Sequence, residues 1–347
     1  MSTESSKRPT HKVQIREVAE RAGVSPATVS RILNASPTVG EAYRERVMQA
    51  VAELGYRPNR LARNLRRQSA EMIGVVISDI ENPHFGEMVR AVEDQAYEKG
   101  YRVLLCNTDE NPEKQRSYLE ILADERVVGA IISPSDPAGP EIAQLLDLGI
   151  PVVAFDRVVD DPRADAVIVD NLEGTRQGTQ YLIDAGHRRI GFVGGGLGVE
   201  TGSERLEGYE TAMRAAGLEP LAGSGGFRID GGRTVTIELL EAVPPPTALV
   251  VANNLMTAGA LLALRGAGLG VPDDIALVAT DEPFWAELVD PPLTTLAQPV
   301  RQMADAAMSL LLQRVEGRRK RPRKLVFDLE LHVRASCGTK HWTDRSQ

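Results

Sequence analysis

Apolar positions first become periodic at Ile15, Val18, Ala19 and Ala22, the spacing of one face of a helix. The pattern breaks at Gly23, which permits a tight turn; Ser25 then supplies a capping hydroxyl, and Pro26 a first helical residue that needs no amide partner. A second short helix follows, with Val29, Ile32 and Leu33 inward and Ala27, Thr28, Ser30 and Arg31 outward. Two short helices joined by a glycine turn make a helix-turn-helix, whose second helix can lie in a DNA major groove. On pattern alone an ordinary helical hairpin is an equal reading. From Glu41 to Leu54 a third apolar face (Val47, Ala50, Val51, Leu54) lets the three helices enclose one small core. Arg57-Pro58 ends that unit, because the residue before proline is pushed out of helical geometry. Beyond it, Leu61 and Leu65 stand one turn apart among Arg60, Arg63, Arg66 and Arg67. That segment is well under the ~12–15 residues an isolated helix needs, so it is expected to be a basic linker when free and to fold only against a surface.

From Met72 onward the pattern changes to short apolar runs alternating with helical ones. MIGVVIS, YRVLLCN, VGAIIS and IPVVAFD read as strands, separated by helices at Phe85–Lys99, Pro112–Asp124 and near Glu141–Leu148. The plan restarts after Asp170: helix Gly174–Ala185, strand RIGFVGG, helix Arg205–Ala216, a strand and helix near Phe227–Glu241, strand ALVVAN, helix Met256–Gly266 and strand IALVAT. Repetition of one alternating plan predicts two similar lobes of doubly wound parallel sheet with a ligand cleft between them. LTTLAQP and a helix at Val300–Val315 are expected to return to the first lobe, and VFDLELHVRAS to close on the second.

Charge divides the chain where the pattern does. Of 347 residues with net charge −8, residues 1–70 hold 13 Lys and Arg against 6 Asp and Glu, so this head is net +7 on a body of net −15. Because the basic residues are interleaved with periodic apolar ones, they belong to a folded nucleic-acid module rather than a solvated tail. The acidic body would repel phosphate. A content of 42% apolar and 25% charged residues fits a globular protein, and no run has the length of a membrane span or the apolar centre of a signal peptide, so a cytoplasmic protein without membrane contact is expected. Cys106 and Cys337 and the five histidines have no metal-ligand spacing, and Cys106 reads as a buried, inert thiol; no metal or cofactor is expected. GFVGGGLG lacks the spacing of a phosphate loop and reads as a tight turn, and no nucleophile signature supports an enzyme. The basic run Arg318–Lys324 reads as a solvated loop.

The runs VQIREVAERAGVSPATVSRILN and RVMQAVAELGYRPNRLARNLR resemble the head and hinge of the lactose-repressor (LacI/GalR) family of bacterial regulators. The alternating body resembles that family's effector core, itself similar to periplasmic sugar-binding proteins. The resemblance implies a helix-turn-helix head at 1–57, a hinge at 58–70, an α/β core at about 71–337 and a tail at 338–347. Within the core, lobe 1 is expected at about 71–169 and 296–325, and lobe 2 at about 170–295 and 326–337. It also implies a homodimeric repressor that binds a pseudo-palindromic double-stranded operator and is controlled by a sugar. The DNA-facing set is Ser25, Pro26, Ala27, Thr28, Ser30 and Arg31 on the recognition helix, with Asn59, Arg60, Leu61, Ala62 and Leu65 in the hinge. Leu65 matches the leucine that pries open the operator centre. Pro26 and Ala27 offer no side-chain hydrogen bonds, so base reading leans on Arg31, whose fork suits guanine. Gly40 stands where a capping serine or threonine is common.

In parallel sheets, ligands sit beyond the carboxyl ends of the strands. Asn82, His84, Phe85, Asp156, Arg157, Asn253 and Asp281 follow apolar runs, Arg205 is expected to begin a helix, and Gln298 lies on the crossover. Carboxylate, guanidinium and amide groups together suit a polyol, and Phe85, Phe227 and Trp285 are candidate faces for a sugar ring. These positions match the family's effector-binding residues and resemble pentose and hexose binders, with two departures. His84 replaces a common Phe, and Asn254 replaces the aspartate that usually follows Asn253. A sugar-processing protein with an accessory basic domain is the alternative from another class.

Overall fold

The computed structural model describes residues 13–33, 40–56, 71–196 and 198–338. Contacts divide the chain after Ser69 into a small helical unit and a larger α/β unit.

In the helical unit, α1 (Ile15–Ala22) starts with a reciprocal cap between Gln14 and Glu17 and stops at Gly23, whose φ of 65° places it in the left-handed region that favours glycine. α2 (Pro26–Leu33) begins as the turn chemistry dictates: the Thr28 amide donates to Ser25 Oγ at 3.1 Å. α3 (Glu41–Leu54) opens at Gly40 with no side-chain cap. Val18, Val29 and Val47, one from each helix, are fully buried together, and Arg21 of α1 reaches Glu53 of α3 at 2.6 Å.

The larger unit begins with β1 (Met72–Ile77), α4 (Pro83–Glu98), β2 (Arg102–Asn107), α5 (Pro112–Asp124), β3 (Gly129–Ile132), α6 (Pro140–Asp147), β4 (Val152–Phe155) and β5 (Asp165–Val169). It continues with α7 (Asn171–Asp184), β6 (Ile190–Gly194), α8 (Glu200–Ala215), β7 (Leu221–Ser224), α9 (Ile229–Leu240), β8 (Ala248–Val251), α10 (Asn254–Gly266), β9 (Ala276–Thr280), β10 (Thr294–Ala297), α11 (Val300–Val315), β11 (Lys324–Phe327) and β12 (Glu330–His332). One sheet runs β2-β1-β3-β4-β5-β11 and the other β7-β6-β8-β9-β10-β12. Every pairing is parallel except that of β12 with β10. Central strands such as VVAF and ALVV are buried on both faces, as parallel sheets covered by helices require.

The chain passes between the sheets after Val169, after Ala297 and after Phe327. The boundaries read from sequence at 296 and 325 therefore fall inside strands. β10 lies wholly in the second sheet, between β9 and β12, and of this stretch only α11 returns to the first lobe, against α4 and β3 to β5. VFDLELHVRAS is split likewise, its Val326 and Phe327 pairing with β5 and only its later part with β10. Strand β5, absent from the sequence reading, starts at a charged residue. Asp165 is fully buried between Arg314 at 3.0 Å and Arg319 at 2.7 Å, pairing that lets a carboxylate open an interior strand. Arg319 thus corrects the reading of Arg318–Lys324 as a wholly solvated loop. Cys106 and Cys337 are buried and form no disulfide with each other, and burial pushes the Cys106 thiol upward. No helix among the described residues is long and apolar enough to cross a membrane.

Candidate functional site

On the helical unit, Ser25, Pro26, Ala27 and Arg31 are exposed and Thr28 and Ser30 half-buried, while Val29 and Ile32 of the same helix point into the core. The outward face of α2 is therefore the one the sequence assigned. Asn59, Arg60, Leu61, Ala62 and Leu65 lie outside the described residues.

On the α/β unit a cleft opens where the two sheets present their carboxyl ends. It is lined by Asn82, His84, Phe85, Asp156, Arg157, Arg205, Phe227, Asn253, Asp281 and Gln298, together with six residues that sequence reasoning missed: Ser78, Asp79, Glu110, Thr201, Gly226 and Arg228. The strand-end rule already pointed at Ser78 and Asp79, which directly follow β1. Applied to the loop after β2, it would have found Glu110. Trp285 is not among the lining residues. It is half-buried against the apolar core in a turn where Ala286 donates to Pro283 and Leu288 to Trp285 itself. Arg205 lies in the second turn of α8, which begins five residues before the sequence placed it, and β7 precedes Phe227 rather than containing it.

The backbone is strained around this cleft. Asp156 (φ 68°) and Asp281 (φ 76°) occupy the same place after β4 and β9, one in each lobe, and Glu110 and Phe227 share the left-handed conformation. Such conformations cost about 1–3 kcal/mol each and persist when surrounding contacts hold them. Here Asp281 accepts from the Gln298 amide at 2.7 Å and from the Asn254 amide nitrogen at 3.2 Å. Phe227 sits against Gly195, where an added Cβ would lie 2.1 Å from its ring, so the glycine run after β6 seats an aromatic face.

Each guanidinium in the cleft is already engaged. Arg157 forks onto Glu110 at 2.6 and 2.7 Å and lies 3.5 Å from Asp156; burial opposes its charge, but these carboxylates outweigh it and raise its pKa. Arg205 donates to Asn171 Oδ1 at 2.8 Å and to the Ala252 carbonyl at 2.6 Å. Arg228 pairs with Asp79 at 2.9 Å. This last pair joins the two lobes, as does the 2.9 Å bond from Asn254 to Asn82. The Val158 amide also reaches Glu200 across the gap, at 3.4 Å. With the lobes bridged this way the cavity is only about 30 Å³, room for a water or two.

The two-lobed core and the helical unit with an exposed second helix define a ligand-binding α/β module joined to a helix-turn-helix module. Residues 14–59 match the model of the bacterial regulatory proteins of the lacI family, and residues 179–337 match a periplasmic-binding-protein-like domain. The ribose operon repressor of Halalkalibacterium halodurans is 38% identical over 302 residues, covering 87% of this chain and 90% of that protein. Among solved structures, the Lac repressor dimer bound to operator and the anti-inducer ONPF superposes with a TM-score of 0.82 at 30% identity, over 94% of this chain and 99% of that one. A transcriptional regulator CelR in complex with cellobiose gives 0.71 at 34% identity, over 95% and 100%. The chain belongs to the LacI family of bacterial regulatory proteins.

Proposed function

We propose that this protein is a homodimeric transcriptional repressor whose affinity for a pseudo-palindromic operator is set by a neutral sugar held in the cleft. The observation that carries the choice of ligand is electrostatic. Among the described residues, the cleft presents the carboxylates of Asp79, Glu110, Asp156 and Asp281 against the guanidiniums of Arg157, Arg205 and Arg228, each guanidinium engaged by protein oxygens. A phosphate or carboxylate ligand would meet repulsion there and no spare cation, whereas sugar hydroxyls donate to carboxylates and accept from guanidinium and amide N–H groups. Phe85 and Phe227 supply apolar faces for the ring. The cellobiose bound by the regulator CelR, the operator bound by the Lac repressor dimer and the name of the ribose operon repressor support the same reading.

Effector binding parts the Arg228–Asp79 and Asn254–Asn82 bridges and changes the angle between the lobes. The hinge at 58–70 then carries that change to the paired heads. A thermal-shift screen against pentoses, hexoses and their phosphates tests the ligand class, since a ligand at 100 times its Kd stabilises by about 2.7 kcal/mol. A free sugar is expected to shift the transition and its phosphate to leave it unchanged. A shift by phosphates alone would refute the neutral-sugar assignment.

A further inference from the structure

We infer that His84 is a specificity-determining residue, which reads one hydroxyl group of the effector jointly with Asp156; this rests on the sugar reading above. His84 lies in the first turn of α4, whose N-cap is Asn82, and its side chain is only 4% exposed. The ring is wedged edge-on against Phe85, with centroids 5.1 Å apart, and tilted against Phe155 at 5.9 Å. Packing of this kind suits a phenyl ring equally well, so apolar contact does not account for the imidazole. What distinguishes the histidine is its two nitrogens, and neither has a hydrogen-bond partner although both are buried. Asn254 Oδ1 and Gln298 Oε1, whose residues line a 170 Å³ cavity together with His84, are unpaired as well. His84 and Gln298 also line the cleft, and because buried polar atoms in native proteins are nearly always satisfied, unpaired ones there mark groups that a bound molecule completes.

The geometry specifies what completes His84. Its Nε2 lies 3.9 Å from Asp156 Oδ1, too far for a direct hydrogen bond. An oxygen ~2.8 Å from both atoms closes a triangle with an angle of about 90° at that oxygen, close to what a hydroxyl presents. The carboxylate only accepts, so the bridging atom must donate to Asp156, and it must accept from the imidazole N–H. Among the atoms of a neutral sugar, only a hydroxyl does both. A ring ether oxygen cannot donate to Asp156, and a deoxy carbon does neither. Phenylalanine at this position would leave that hydroxyl with Asp156 alone, so the histidine narrows the range of sugars accepted.

The test is calorimetry on the full-length protein with D-ribose, D-xylose, D-glucose and D-galactose, followed by each monodeoxy form of the tightest binder. Against wild type, one deoxy sugar is expected to lose at least ~100-fold in affinity, and against His84→Phe, where Asp156 alone still accepts from the parent's hydroxyl, the loss for that same sugar is expected to be at least about tenfold smaller. His84→Gln, which keeps an N–H donor, retains the discrimination. Should the phenyl ring lower the thermal midpoint, His84→Leu carries the same prediction as His84→Phe. Equal losses in wild type and His84→Phe for every deoxy sugar would overturn the role assigned to His84. Wild type binding none of the four parent sugars would instead overturn the sugar reading itself, and the two failures are thereby distinct.

Discussion

Asp79 shows how single residues set the balance of the closed cleft. Burial lifts its carboxyl above the ordinary value, while the Glu81 amide and Arg228 pull the other way without reversing the shift. A native state that holds this proton more tightly than the unfolded chain gains stability from it at low pH. That gain is lost as pH rises through the unfolded value toward the folded one, so the charge is a net cost at neutrality. Asp79→Asn is therefore expected to raise the thermal midpoint at pH 7 despite cutting the ion pair to Arg228, itself partly exposed and able to rehydrate. A lowered midpoint would show that the inter-lobe bridge outweighs burial. Gly195 acts by absence of a side chain: Gly195→Ala drives a methyl into the Phe227 ring and should cost about 1–3 kcal/mol in denaturant unfolding. An unchanged midpoint would mean that Phe227 moves aside freely and is no fixed wall of the site. These close packings explain why part of the cleft was legible in sequence and part was not. Asp156, Asn253 and Asp281 could be read because they directly follow apolar runs, whereas Arg228 and Thr201 enter from the loop before α9 and the first turn of α8, whose starts no local pattern fixed.

At the scale of elements, α2 was the most readable part of the chain. Glycine, serine and proline at consecutive decisions of the backbone fixed its start, and the inward Val29 and Ile32 left its outward face determined. Arg31 is the one long, exposed hydrogen-bonding side chain on that face. Replacing it, Arg31→Ala, should weaken operator binding by about 1–3 kcal/mol and relax the choice of base at one position of each half-site, measurable by competition among single-base operator variants. A uniform loss across all variants would assign Arg31 to a phosphate instead. Strand β5 shows the opposite case, invisible because its opening Asp165 reads as a loop residue until Arg314 and Arg319, about 150 residues later, are folded onto it. The same long-range dependence blurred the ends of β10 and β11. Short apolar segments reveal that they are strands but not which sheet will pair with them.

In the molecule as a whole, a basic head and an acidic body divide the labour that the family requires, binding DNA and sensing a ligand. Three contacts bridge the lobes across the cleft, and a ligand that makes better contacts in another arrangement of the lobes shifts the population toward it. Allosteric control is reciprocal, so an effector must change operator affinity by the factor by which operator changes effector affinity, typically about 5- to 150-fold. The most direct test is fluorescence anisotropy of the full-length protein on a duplex selected from a random library, at fixed salt, with and without the sugar that shifts its thermal transition. The selected duplex is expected to be pseudo-palindromic. Its affinity should change at least about fivefold with sugar for wild type and remain constant for Arg205→Ala, whose guanidinium lies in the cleft. A duplex without dyad symmetry, or an operator affinity that ignores the sugar in wild type, would contradict the account.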